Sequence, residues 1–335
     1  MPVPLDWHGA DLALSPMTAL IGKRYYGGAA PETIHLGSQH HMIVAAQSGG
    51  GKSTLMRLAL SSLALNTSPS ELAILLIDLK NEDLVPFRAL PHCIGYAGSV
   101  AAAAEQIGRL HRLRDDRVAG TERSPRVLLV IDELAELADD KDALGRLGRI
   151  LSTGRSLGIN VWAGTQYPTA SAIGGVVARS WTLRIVGRVD GAQAAQVATQ
   201  RPGSGAQYLA HPGDFLRVEG PELTRFKAYW MPAEDTEGMV ARIGGRWGAL
   251  RPAAPAQFAE TPALPEHTVS TETATPASSS LFDSELERIV RLVEPLHRQG
   301  SSLAAMIRAA FGPHANTGGA NRARVLQALE WIATT

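Results

Sequence analysis

HMIVAAQSGGGKST, running from His41 to Thr54, decides the fold. A short apolar run enters three successive glycines, and a Lys-Ser-Thr triplet opens the apolar-periodic stretch LMRLALSSLAL. Strand, glycine loop and helix in that order are the setting of a phosphate-binding loop. Gly49, Gly50 and Gly51 let the backbone take positive φ and turn several N–H groups inward. The helix start adds its positive dipole end. Lys52 would then reach the β- and γ-phosphates of ATP, and Ser53 would offer its hydroxyl to Mg2+. Gln47, Ser48, Gly49, Gly50, Gly51, Lys52, Ser53 and Thr54 are the expected nucleotide contacts. Ala46 stands where the usual signature has its first glycine, at the loop's entry and away from the phosphates.

Working outward, the same alternation repeats. ELAILLIDL, RVLLVIDEL, INVWAGTQ and WTLRIVGRV read as buried strands. KSTLMRLALSSLAL, VAAAAEQIGRLHRLRDDRVA and KDALGRLGRILSTGRSLG read as helices. Continuous apolar strands between helices predict an α/β fold with a mainly parallel central sheet covered on both faces. Residues 1–40 read as a lead-in and 41–250 as the core domain. Residues 251–280 are rich in Pro, Ala, Ser and Thr, cannot bury a core, and read as a flexible linker. Helical periodicity returns over 281–335 as a small three-helix unit.

Ligands of parallel sheets sit at the carboxyl ends of the strands. Asp132 and Glu133 end one strand there. Asp132 would hold a water of the Mg2+ shell, and Glu133 would act as general base on the attacking water. The plainer reading of that pair, acidic residues at a helix start, loses ground once a phosphate loop lies upstream. Asp78 ends LLID in the same way, either supporting the site or serving its own turn. Gln166 follows INVWAGT and could orient water or sense the γ-phosphate. Arg146, Arg149 and Arg155 lie on or just after one helix, and an arginine offered to a neighbour's γ-phosphate would stabilise transition-state charge. A solvated helix face is the plainer reading of any one of them. Arg179, Arg184 and Arg188 lie beside or on a late strand, facing either phosphates or solvent.

Lys plus Arg and Asp plus Glu balance at 32 each, so no whole-chain field draws nucleic acid and any such contact must be local. Cys93 is the sole cysteine, which excludes an intrachain disulfide. LAILLI and VLLVI fall far short of the roughly 20 residues that span a bilayer, and the first residues do not read as a signal peptide. The expectation is a cytoplasmic protein that is not inserted in a membrane. His40–His41 and His92–Cys93 have no second pair at metal-ligand spacing.

HHMIVAAQSGGGKST, LLIDLK, VLLVIDELAEL, GRSLGINVWAGTQYP and RSWTLRIVGRV, in that order, resemble the motor domain of FtsK/SpoIIIE-type DNA translocases, within the FtsK–HerA superfamily, over roughly residues 15–232. The resemblance implies a RecA-like P-loop ATPase that uses ATP and Mg2+. It implies a homohexameric ring pumping double-stranded DNA through its pore. Lys52 and Ser53 fall on Walker A, Asp132 and Glu133 on Walker B, Gln166 on the sensor, and Arg155 on a finger acting in trans. The chain shows no counterpart of the membrane-spanning region of cell-division members, which points the expectation to a plasmid, phage or integrative element. Any recruiting partner is unknown. Relatives that move proteins or act in conjugation are the alternative, and a nucleotide-gated DNA-binding protein is the non-enzymatic one.

The tail from Ser301 to Leu329 carries Arg308, Arg322 and Arg324 and no acidic residue. A basic helix after a short turn suits a major-groove reader. Its place behind a linker resembles the winged-helix end domain of the same motors. A helical packing or partner-binding module is the other reading.

Overall fold

The computed structural model describes residues 5–6, 13–25, 30–38, 41–169, 175–250 and 254–258, with isolated helical positions between Ile289 and Val325. The chain divides into two units, Met1–Ala263 and Leu264–Thr335. Within the second, Ile289, Met306, Ala310 and Val325 are buried.

The first unit is built on one sheet. Its strands are β1 Leu5–Asp6, β2 Thr18–Arg24, β3 Pro31–His35, β4 Met42–Ala45, β5 Leu72–Ile77, β6 Cys93–Ala97, β7 Arg126–Ile131, β8 Ile159–Thr165, β9 Leu183–Val186, β10 Asp214–Glu219 and β11 Glu222–Trp230. The helices are α1 Lys52–Asn66, α2 Val100–Ala119, α3 Lys141–Thr153, α4 Gly191–Thr199 and α5 Glu234–Trp247. The strand order is β3-β2-β11-β10-β9-β4-β8-β7-β5-β6, with β1 beside β11. From β9 to β6 every pairing is parallel. From β9 through β10, β11 and β2 to β3 every pairing is antiparallel. The sheet is thus mixed and mostly parallel, with helices on both faces. Three strands of the segment read as a lead-in, β1, β2 and β3, belong to it.

Strand alternation sorts the core. Leu72, Ile74 and Leu76 of β5 face α1, whereas Ala73, Leu75 and Ile77 face α2 and α3. Helix α1 is enclosed by the sheet and α5, and nearly every residue in it is buried. Each buried leucine there contributes about 2 kcal/mol. Trp247 of α5 donates its indole N–H to the carbonyls of Ala64 and Leu65, at 3.1 and 3.3 Å, closing the carboxyl end of α1. Asp140 caps α3 by accepting from the Ala143 N–H at 2.9 Å. Helix α3 ends at Thr153, and a 3-10 turn, Gly154–Leu157, completes the stretch read as one helix.

Inside the stretch read as linker, Ala256–Phe258 forms a 3-10 turn. Phe258 is buried in the cluster of α2 and α3, and the Gln257 amide donates to the Asp116 carboxylate. A single aromatic anchor suffices to hold a segment whose composition otherwise reads as unstructured. Among the described residues, no helix is long and apolar enough to cross a membrane.

Candidate nucleotide site

Four parallel strand ends assemble the site. β4 lies between β8 and β9, with Ala45 level with Thr165 and Val186. β7 lies on the far side of β8, with Ile131 level with Ala163. The loop after β4 is tied down at its entry: the Ala46 N–H donates to Thr165 O at 3.1 Å and the Gln47 N–H to Arg188 O at 2.8 Å. Ala46 is fully buried against this framework, so a side chain is tolerated where the signature has glycine.

Gly49 and Gly51 take φ of 75° and 102°, a region costly to other residues. Gly51 caps α1 without any side-chain hydrogen bond, and the first turn carries no acidic residue. The amino end of α1 therefore keeps its N–H groups and dipole for a ligand anion. This uncapped end, with Lys52 beside it, fits a nucleotide phosphate. Ser53 is half-buried at the loop and Ser48 is exposed on it. Thr54 points elsewhere: its hydroxyl accepts from Arg57 at 3.3 Å, and Arg57 pairs with Asp83 at 2.6 Å.

Lys52 is only 4% exposed, and its ammonium donates to Asp132 Oδ1 at 2.5 Å and Asp132 O at 2.7 Å. To do so it passes over β8, where Gly164 makes room. A Cβ at Gly164 would lie 2.3 Å from Asp132 O and 2.9 Å from Lys52 Cδ. Sequence reading missed Gly164; the signal was a glycine inside a fully buried strand, which marks a close approach.

Glu133 follows with both oxygens engaged, accepting from the Gln166 N–H at 2.9 Å and the Ala135 N–H at 3.4 Å. Lys52, Asp132, Glu133 and Gln166 are thus one connected group. Ser53 and Asp132 are the residues that could hold Mg2+; among the described residues, no cluster of three or more His, Cys, Asp or Glu could hold a metal without phosphate ligands. Lys80 stands at the rim, 3.6 Å from Glu136. Burial acts to lower its pKa, but Glu136, Glu133 and Asp132 outweigh that and hold it raised.

A second support, also missed, comes from the antiparallel half. The Gly213 N–H donates to Gly50 O at 3.0 Å. Next to it Asp214 is fully buried and accepts from Tyr25, Arg225 and Lys227 at 2.5, 2.8 and 3.0 Å. Burial acts to raise the Asp214 pKa, yet these donors hold it low. Arg225 and Lys227 stand on β11 and Tyr25 directly follows β2, so the strands added beyond the parallel sheet brace the phosphate loop.

Other expected residues are dispersed. Asp78 is fully buried, and its Oδ2 accepts from the Glu82 and Leu84 N–H groups at 3.0 and 2.9 Å, holding its own loop. Arg155 lies on the turn before β8, at the opposite edge of the sheet from Gln166. Seven residues of β8 separate the two edges, about 20 Å at 3.3 Å per residue. Arg117 fixes that turn by donating to Leu157 O and Gly158 O at 2.9 and 3.2 Å. Arg146 pairs with Asp142 at 2.8 Å, and Arg149 is exposed. Arg179 is exposed before β9, and Arg188 is exposed after it. Arg184 corrects both readings given for it. It is buried, donates to the carbonyls of Ala198 and Ala178, and burial lowers its pKa to about 10. It braces α4 and meets neither phosphate nor solvent. Arg308, Arg322 and Arg324 lie outside the described residues.

His92 immediately precedes β6, and Cys93 opens it. His92 meets Thr67 O at 2.7 Å, and burial lowers its pKa to about 4. Burial likewise pushes the Cys93 thiol up to about 11.

Comparison with known proteins agrees with this geometry. Residues 10–123 match the FtsK/SpoIIIE family. The DNA translocase SftA of Bacillus subtilis is 29% identical over 61% of this chain and 24% of its own length. The DNA translocase FtsK of Tropheryma whipplei is 26% identical over 68% of this chain and 34% of its own. The chain spans about a quarter to a third of these relatives. Two solved structures share the fold. The pCW3 conjugation coupling protein TcpA, solved with ATPγS, has a TM-score of 0.63 at 21% identity, covering 73% of this chain and 75% of that one. The cytoplasmic domain of the type VII secretion ATPase EccC from Thermomonospora curvata has a TM-score of 0.60 at 22% identity, covering 78% and 33%. With its uncapped phosphate loop joined through Lys52 to an acidic strand end, the chain resembles the P-loop ATPases of the FtsK/SpoIIIE family, which its residues 10–123 match.

Proposed function

We propose that the chain hydrolyses Mg-ATP to move double-stranded DNA, working as a ring of identical subunits. The observation that carries the hydrolysis is the connected group Lys52–Asp132–Glu133–Gln166 at the carboxyl edge of the sheet. The α1 N–H groups and Lys52 would bind the phosphates. Mg2+, held through Ser53 and Asp132, would neutralise phosphate charge. Glu133, fixed by the Gln166 N–H, would take a proton from the attacking water. A bound γ-phosphate would compete with Asp132 for the Lys52 ammonium.

Support for the ring comes from Arg155, which lies about 20 Å from its own site and would complete a neighbour's. Hydrolysis would then couple to motion between subunits. Duplex DNA as substrate draws its support from relatives named DNA translocases. Arg179 is a candidate phosphate contact, and the tail with Arg308, Arg322 and Arg324 a candidate DNA reader.

Displacement of a third strand from a linear duplex tests motion directly. The chain should displace it with ATP, and Lys52→Ala should not. ATP turnover without displacement would refute the motor. Truncation after Ala263 keeps Phe258 in the core and should lower DNA affinity or directionality; unchanged behaviour removes the tail's role.

A further inference from the structure

Between α2 and α3 lies an open trough of about 430 Å3. Its lining is Gly108, His111, Arg112, Lys141, Asp142, Gly145, Arg146 and Arg149. We propose that this trough binds the phosphodiester backbone of the duplex, as a contact separate from any pore. The proposal rests on the DNA reading above and extends it to a second surface.

Three features carry it. The first is charge. In a chain balanced at 32 basic and 32 acidic residues, this trough holds three arginines and a lysine against one carboxylate. That carboxylate, Asp142, is taken by Arg146 at 2.8 Å. His111 faces Asp115 at 3.2 Å, and Asp115 also pairs with Arg114 at 2.5 Å. Among the described residues Arg112, Lys141 and Arg149 have no acidic partner within 4 Å, and all three are exposed. Such a cluster repels itself unless an anion joins it.

The second is shape. Gly145 has nothing within 4 Å of where its Cβ would be, so the wall there is open. At Gly108 a Cβ would lie 2.8 Å from Arg146 Nη1, so glycine lets that guanidinium lie down into the trough. Forked guanidiniums suit the geometry of a phosphate.

The third is what is missing from the lining. It contains no apolar side chain beyond glycine. A protein interface keeps an apolar core, whereas protein–DNA interfaces are polar and strongly positive. This favours phosphodiester over an acidic protein segment.

The test is the salt dependence of binding to a labelled linear duplex, comparing the full chain with the double variant Arg112→Ala, Lys141→Ala. Both side chains are exposed and have no acidic partner among the described residues, and Lys141 opens a helix, where a cation is disfavoured, so folding should be retained. Each phosphate contact contributes about 0.9 to the slope of log affinity against log salt. The variant should lower that slope by about two and leave ATP turnover without DNA unchanged. An unchanged slope with intact wild-type binding overturns the trough alone. Loss of polyglutamate binding with unchanged duplex binding also overturns it, in favour of an acidic protein partner. Failure of the wild type to bind duplex at all overturns the DNA reading itself.

Discussion

Asp78 and Asp132 end neighbouring parallel strands, with Ile77 level with Ile131, and their sequences look alike: LLID and LVID. Their work is different. Asp132 takes Lys52 across β8, while Asp78 holds the N–H groups of Glu82 and Leu84. The difference is one of place. One strand separates β7 from the phosphate-loop strand, and that strand has a glycine where the lysine must cross. β5 lies a strand further out. An acidic strand end is thus chemical only within reach of the loop; beyond it, the same carboxylate serves as a cap.

The largest losses fall at Asp132 and its partners. Asp132→Asn, Glu133→Gln and Lys52→Ala should each cut ATP turnover by about 100-fold or more, read by phosphate release at saturating Mg-ATP. Asp78→Asn should leave turnover per folded molecule within about twofold. Equal losses at Asp78 and Asp132 would erase the distinction.

Next comes the other edge. Arg155→Ala should also be nearly inactive alone, and mixing it with Lys52→Ala subunits should restore turnover. Each Lys52→Ala subunit can lend its arginine to a neighbour whose own site is intact. A mixture no more active than its parts would contradict completion in trans.

Gly164→Ala isolates the crossing itself. Its Cβ collides with Asp132 O and the Lys52 stem, so turnover should fall about tenfold or more, with about 1–3 kcal/mol lost in denaturant unfolding. Asp78→Ala reverses the pattern: about 2 kcal/mol of stability lost from two unsatisfied N–H groups, with turnover kept.

The smallest effect on turnover concerns His92, beside Asp78's strand, whose carbonyl accepts from the Ile74 N–H at 2.8 Å. Its pKa is lowered from 6.5 to about 4 in the fold, so the unfolded chain binds the extra proton first. Its contribution is full above pH 6.5 and drains as pH falls toward 4, by about 3 kcal/mol in all. His92→Gln should flatten that part of the stability–pH curve.

Much of the site could be read in advance because it is local. A phosphate loop needs glycines, lysine and a helix in immediate succession, and a Walker B strand needs only an apolar run and its acidic end. The sheet's parallel strands announced themselves for the same reason, as unbroken apolar runs. What escaped was long-range. Gly164 gains meaning only once Lys52 lies across it. Asp214, Arg225 and Lys227 come from two strands and Tyr25 from the end of a third, and they become a brace only when β2 and β11 pair. β10 and β11 carry mixed polar and apolar residues, so their antiparallel pairing left little trace in hydropathy. Arg184 misled because an arginine on a strand suggests an exposed face, whereas two backbone carbonyls bury this one.

DNA motion driven from this nucleotide site is read in the steady-state ATP turnover of the full chain, measured with and without long linear duplex. Duplex should raise turnover at least severalfold, with Glu133→Gln inactive under both conditions. Turnover that ignores duplex at every concentration would contradict the DNA motor.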